Sequence, residues 1–226
     1  MLSLIGQYDS PFVRRVAVSL THLEVAFTRQ PLSVFTDAEA LRRYSPLGRV
    51  PALLIEEGEC LLDSSAILDY LDERVGGGRA LLPADGPARR DALKTVVLAT
   101  GVCDKAVANL YEGRREASKI DQGWMARTRG QLEGALAELE RRTAAKPYPE
   151  RLMQPDITVA VMLGFLRLYL PEVVPDGRYP ALEAAAAAAE AQPAFVACRP
   201  SLAELGGSPE AARAALLRLQ GGAESR

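Results

Sequence analysis

Residues 8–15, Tyr8-Asp9-Ser10-Pro11-Phe12-Val13-Arg14-Arg15, decide how this chain is read. The apolar run before them, residues 2–5, reads as a strand, and residues 6–9 read as a turn. Serine at a cap followed by proline at the first helical position marks a helix start. Val13, Val16, Ala17 and Leu20 then recur at helical spacing. The cap sets a hydroxyl at the positive end of a helix dipole, where an anion is stabilised. A thiolate suits that place.

Working outward, residues 25–30 read as a second strand and residues 37–44 as a short helix. Residues 52–55 and 60–62 flank Glu56-Glu57-Gly58-Glu59, a hairpin signature. A helix from residue 64 to about 74 carries Ile67, Leu68 and Leu71 on one side. This order predicts a mixed sheet covered by helices. Gly76-Gly77-Gly78 ends that helix, and Pro83, Gly86 and Pro87 make a linker. Beyond it the patterns are helical. Leu93, Val97, Cys103, Val107 and Leu110 outline one long amphipathic helix, and Met125, Leu132, Leu136 and Leu139 a second. Residues 157–170 read as a helix buried on nearly all sides, and the alanine-rich residues 184–189 as a helix by propensity. Residues 209–219 predict one more, before a frayed end. Two domains follow: an α/β unit over residues 1–80 and an all-helical unit over residues 88–226.

Composition narrows the function classes. A formal charge of -2 with no basic block argues against a nucleic-acid partner. Three cysteines, Cys60, Cys103 and Cys198, share no metal-ligand or redox spacing and fit reduced intracellular thiols. The start lacks the pattern of a secretory signal, and residues 157–170 are too short to span a bilayer and contain Arg167. A cytoplasmic protein with no membrane partner is expected.

Two further motifs carry chemistry. In Ser45-Pro46-Leu47-Gly48-Arg49-Val50-Pro51-Ala52-Leu53, Pro51 stands where a strand begins, a place that needs no ladder donor. A cis Val50–Pro51 bond would offer the Val50 backbone to a ligand, although only ~5% of such bonds are cis. In Leu62-Asp63-Ser64-Ser65-Ala66-Ile67 a strand gives way to a helix on Asp and Ser, so the first free amides face outward. A carboxylate suits those amides and an ammonium group suits Asp63. Together they would recognise a free amino-acid end.

In this order and spacing, Ser10-Pro11-Phe12-Val13-x-Arg15, Pro46-Leu47-Gly48-x-Val50-Pro51-x-Leu53 and Asp63-Ser64-x-Ala66-Ile67 resemble the cytosolic glutathione transferase family, serine-type. The likeness runs from Met1 to about Cys198. It implies an α/β thioredoxin-like N-terminal domain plus an all-α C-terminal helical domain, a cis Val50–Pro51 bond, and a homodimer with active sites between the two domains. Glutathione as cosubstrate and a small hydrophobic electrophile are the implied partners, with no metal. Matched by position, Ser10 is the hydroxyl that donates to the glutathione sulfur. Val50, with Pro51 behind it, pairs with the cysteinyl part of the tripeptide, and Asp63 and Ser64 hold the γ-glutamyl end. Arg49 reaches the peptide's carboxylate, and Arg14 is a weaker candidate for supporting the thiolate's field.

Two departures stand out. Relatives often cap the buried helix with Ser or Thr three residues before its Asp; here that position is Met153, so Asp156 is the candidate to cap it. The sulfur-contact position holds Ser10 rather than Cys, which argues against disulfide exchange through a protein thiol. Tyr8 is the alternative hydroxyl, and a pure helix cap the structural alternative for Ser10. The resemblance implies conjugation of glutathione to electrophiles, a detoxification chemistry. Glutathione-dependent isomerisation, dehalogenation or peroxide reduction, and a non-catalytic glutathione-binding protein, are the competing readings.

Overall fold

The computed structural model describes residues 1–226 except 57, 147, 148, 207–209, 211, 213, 215, 217, 218 and 220–226. The described chain forms two compact units, Met1–Arg89 with Ala191–Ala212, and Arg90–Glu190 with Arg213–Arg226.

In the first unit, β1 (Leu2–Ile5), β2 (Phe27–Gln30), β3 (Ala52–Leu54) and β4 (Cys60–Leu62) form one sheet in the order β2-β1-β3-β4. β1 and β2 are parallel, joined through α1 (Pro11–His22); β1–β3 and β3–β4 are antiparallel. This is the mixed sheet expected from the sequence. Successive strand residues face opposite ways. Ile5 and Ala52 therefore meet Leu41 of α2 (Ala38–Arg42) in one buried cluster, while α1 packs on α3 (Ser64–Val75) through its fully buried Val13, Val16, Ala17 and Leu20. The strand expected over residues 25–30 is shorter, because Glu24 takes a left-handed φ of 56° and the chain still turns there.

The second unit contains most of α4 (Gly86–Gly113) with α5 (Gln122–Ala144), α6 (Gln154–Tyr169) and α7 (Pro180–Glu190). α6 is buried almost all round, as its apolar run predicts, and α7 packs on both α5 and α6. On α4 the buried residues are Ala92, Val96, Ala99, Val102, Cys103, Ala106 and Asn109; of the expected stripe Cys103 is buried, and Val107 and Leu110 are half-buried. Leu93 and Val97 face outward, Val97 with 66% of its surface exposed. Small side chains let helices approach closely, which suits the three alanines, Ala92, Ala99 and Ala106, on the inward face. Trp124 is also exposed. No helix among the described residues is long and apolar enough to cross a membrane.

α6 begins without a serine or threonine cap. The Met153 N–H donates instead to Asp156 Oδ2 at 2.9 Å, the carboxylate half of a capping box. Burial pushes the Asp156 carboxyl up, so the bond is made at the expense of solvation. Asp156→Ala is expected to lower stability by about 1–2 kcal/mol, within the usual range for a lost cap. Denaturant unfolding checks this, and Asp156→Asn, which keeps an acceptor, should lose less.

After α7 the chain re-enters the first unit. Two short helices, α8 (Pro193–Ala197) and α9 (Leu202–Leu205), lie where the sequence showed no clear element. α9 opens on a capping box in which Ser201 and Glu204 exchange bonds, a Ser-x-x-Glu signature visible in the sequence. The helix expected over residues 209–219 and the end beyond it lie largely outside the described residues.

Candidate functional site

The register of the sheet gathers the three motifs. Ile5 pairs with Ala52, and Ala52 with Leu62. The C-terminal end of β1, the N-terminal end of β3 and the C-terminal end of β4 thus lie side by side, about 5 Å apart from strand to strand. The chain leaves them toward Ser10, arrives through Val50–Pro51, and leaves toward Asp63. Gly6 locks two of these segments together. An ideal Cβ on Gly6 would fall 2.5 Å from Val13 Cγ2 and 3.0 Å from Val50 Cβ, so its backbone is in contact with both.

Ser10 caps α1 in extended conformation, with φ -70° and ψ 125°, and Pro11 takes the first helical position. Its Oγ accepts from the Val13 N–H at 3.4 Å, a long capping bond. That bond uses a lone pair and leaves the hydroxyl hydrogen to donate outward. The side chain is half-buried, at the edge of the unit's core. Val50–Pro51 is cis, as the resemblance implies. Val50 is half-buried, Pro51 is buried, and Arg49 is exposed, its backbone N–H donating to Ser45 Oγ at 3.3 Å.

Asp63 caps α3 with a left-handed φ of 66°, and its Oδ1 accepts from the Ser65 N–H at 2.9 Å. Its carboxylate is exposed. Ser64 is buried, and its Oγ accepts from Arg15 Nη1 at 3.4 Å. The pair is thus divided between surface and interior. Arg15 is a residue the sequence reading left out: it stands on α1 behind Ser64 and brings positive charge to the same end of α3. Its place one residue after Arg14 in an apolar helix is the signal that could have found it.

Tyr8 has a different role from Ser10. Its ring is buried under the Arg29 guanidinium, 3.5 Å from the centroid, and the residue lies beside the Cys198 thiol, whose Sγ is 3.4 Å from Thr21 Oγ1. Burial, together with that thiol, pushes the phenol up to about 12, and burial likewise raises Cys198. A phenol held neutral and buried beneath a guanidinium is a poor donor to an external sulfur. Arg14 is also engaged elsewhere, its Nε donating to the Cys198 carbonyl at 3.0 Å. Since the Tyr8 pKa is higher folded than unfolded, its contribution to stability is complete below pH ~10 and is lost toward pH ~12. A spectrophotometric titration should show one late tyrosinate step near pH ~12 that Tyr8→Phe removes. A Tyr8→Phe profile identical to that of the wild type would contradict this environment.

The second unit contains a cavity of about 340 Å³, walled by the alanines of α7 together with Thr95, Arg142 and Val159. Arg142 and Lys146 at its rim both pair with Asp91, so the rim charges satisfy one another. Among the described residues, no three His, Cys, Asp or Glu side chains are gathered as a metal site.

Comparison with known proteins agrees with this geometry. The model of the glutathione S-transferase N-terminal domain matches residues 4–79, and that of the C-terminal domain matches residues 122–188. An uncharacterised GST-like protein of Escherichia coli, YibF, is 31% identical over 62% of this chain and 68% of its own length. A maleylacetoacetate isomerase of Pseudomonas aeruginosa is 31% identical over 61% of this chain and 69% of its own. A glutathione transferase family member of Pseudomonas fluorescens, solved with bound glutathione, superposes with a TM-score of 0.77 at 33% identity, covering 89% of this chain and all of that one.

Proposed function

Because the chain belongs to the cytosolic glutathione transferase family, we propose that it is a serine-type member that binds glutathione on residues 1–80 and transfers its thiolate to small hydrophobic electrophiles. Residues 88–226 then supply most of the electrophile's contacts. Ser10 donates its free hydroxyl hydrogen to the sulfur, and the N-terminus of α1 adds its dipole. The Val50 backbone pairs with the cysteinyl residue. Asp63 takes the α-ammonium group of the γ-glutamyl end. Ser64, held from behind by Arg15, and the first amides of α3 take its carboxylate. Arg49 meets the glycyl carboxylate. The sulfur attacks the electrophilic carbon, an S–C bond forms, and the displaced group departs with the bonding electrons. The exposed Leu93 and Val97 on α4 support a homodimer, since apolar side chains of that size gain by being covered.

One observation carries this reading. The register Ile5–Ala52–Leu62 brings the segments that carry Ser10, Val50–Pro51 and Asp63–Ser64 to one end of one sheet, which supports a shared site there. The relative solved with glutathione supports the choice of ligand. A second reading, glutathione-dependent isomerisation, is favoured by the relative named for that activity. The two differ in stoichiometry, because an isomerase returns its glutathione.

The test is ultraviolet titration of the glutathione thiolate bound to wild-type protein and to Ser10→Ala, from acid to mildly alkaline pH. The wild type should hold the thiol about two units below its usual ~8.5, and the variant should restore it. Binding without a shift, or equal shifts in both proteins, would return Ser10 to a helix cap.

A further inference from the structure

Residues 195–204 close over the segment that carries Ser10. The Glu204 side chain, with 5% of its surface exposed, accepts the Tyr8 N–H on Oε1 at 2.7 Å and pairs with Arg29 through the same oxygen. Its Oε2 accepts the Ser201 N–H at 2.8 Å and the Ser201 hydroxyl at 2.9 Å. A buried carboxylate is costly unless its lone pairs are satisfied and a cation faces it, and both conditions hold here. Tyr8 is the second residue of the turn closed by the Ser10 N–H on the Gln7 carbonyl at 3.2 Å. It is held at two points: its N–H by Glu204 and its ring by Arg29. Beyond the turn, Arg14 is tied to the same segment by the Cys198 carbonyl and lies 5.6 Å from the Phe195 ring. Ser10 thus lies between two anchors, Tyr8 and Arg14, both fixed by residues nearly two hundred positions later.

We propose that Glu204 is a positioning residue: through the Tyr8 amide its buried carboxylate fixes the Gln7–Ser10 turn, and so the direction of the Ser10 hydroxyl toward the glutathione sulfur. The inference rests on the reading of Ser10 given above and adds a residue outside the three motifs. A misdirected hydroxyl weakens the bond to the thiolate while leaving the contacts of the tripeptide's two ends intact. Glu204 therefore acts on kcat and on the thiol's acidity, and little on the glutathione KM.

The experiment compares full-length wild type, Ser10→Ala, Glu204→Ala and Glu204→Gln by thiolate titration of bound glutathione and by steady-state turnover of an activated aryl chloride. Glu204→Ala should raise the thiol's pKa by about one unit and lower kcat about tenfold, with the glutathione KM within about threefold. Glu204→Gln keeps an oxygen for the Tyr8 N–H and should recover most of the loss. The direction is diagnostic: removing a negative charge near a thiol would by itself lower its pKa, so a rise comes from lost geometry. Should Glu204→Ala fail to fold, Ser201→Ala removes a single bond to the carboxylate and should move both readouts the same way, about threefold in kcat. A shift in Ser10→Ala with wild-type acidity and kcat in the Glu204 or Ser201 variants overturns the positioning role alone, whatever happens to the melting temperature. No shift in Ser10→Ala overturns the reading of Ser10 and this inference with it.

Discussion

Ser10→Ala is expected to lower kcat/KM at neutral pH by about 10- to 100-fold, since one hydrogen bond to a charged group contributes ~1.5–3 kcal/mol and each 1.36 kcal/mol is a factor of ten. The loss depends on pH with a definite sign. A thiol brought from ~8.5 to ~6.5 is mostly ionised at pH 7, and an unassisted one mostly is not. The ratio of wild type to variant should therefore be largest on the acid side and shrink as the pH passes ~8.5, where both thiols are ionised. A lost structural cap behaves otherwise. The 3.4 Å bond from Val13 to Ser10 is long, so its removal should cost stability near the low end of the usual range, ~0.5–1 kcal/mol, with no such pH dependence. Tyr8→Phe provides the contrast. Its ring is buried beneath Arg29, and the variant's effect on kcat/KM should be at least about tenfold smaller than that of Ser10→Ala. The reverse ranking would move the thiolate donor to Tyr8.

The elements of the first unit from β1 to α3 were legible because their signals are local. Ser10-Pro11 punctuates α1, Gly58 and Glu59 bond back to Ile55 between β3 and β4, and Asp63 begins α3. The role of each motif needed their joint order, since a serine cap alone is ordinary and a cis Val50–Pro51 bond runs against the base rate. Less visible were features set by contacts between distant residues. Which face of α4 is buried depends on how closely its neighbours approach, and the run of alanines between larger residues gave two periodic stripes to choose from. The placement of Ser64 and Arg15 is settled by α1 lying against α3, which no window of sequence contains. Glu204 is the clearest case. Its capping box with Ser201 could be read from four residues, but its bond to Tyr8 spans 196 positions and leaves no trace in local pattern.

Gly6→Ala should be the most damaging single methyl group in the first unit. Gly6 has φ +130°, where side chains other than hydrogen are strained, and a Cβ there would sit 2.5 Å from Val13 Cγ2, 3.0 Å from Val50 Cβ and 3.2 Å from Val50 Cγ1. Neither neighbour can yield cheaply: Val13 is fully buried in the first turn of α1, and Val50 leads directly into β3. Backbone strain of ~1–3 kcal/mol and overpacking of ~1–3 kcal/mol give a total of about 2–6 kcal/mol. For a chain of this length that lowers the melting temperature by roughly 5–20 °C. Whatever relief the protein finds must displace the helix start that carries Ser10, the Val50 backbone, or both. Glutathione affinity should therefore fall about tenfold or more at temperatures where the variant is still folded, an expectation for two misplaced contacts worth ~1 kcal/mol each. Gly76→Ala is the matched control. Gly76 also has a positive φ, +70° with ψ 163°, but a Cβ there would meet nothing within 4 Å, so it should lose only the backbone cost of ~1–3 kcal/mol and bind glutathione normally. Calorimetry for the ligand and thermal melts for the fold separate the two effects. Equal losses in the two variants would mean that the contact of Gly6 with Val13 and Val50 does not set the geometry of the site.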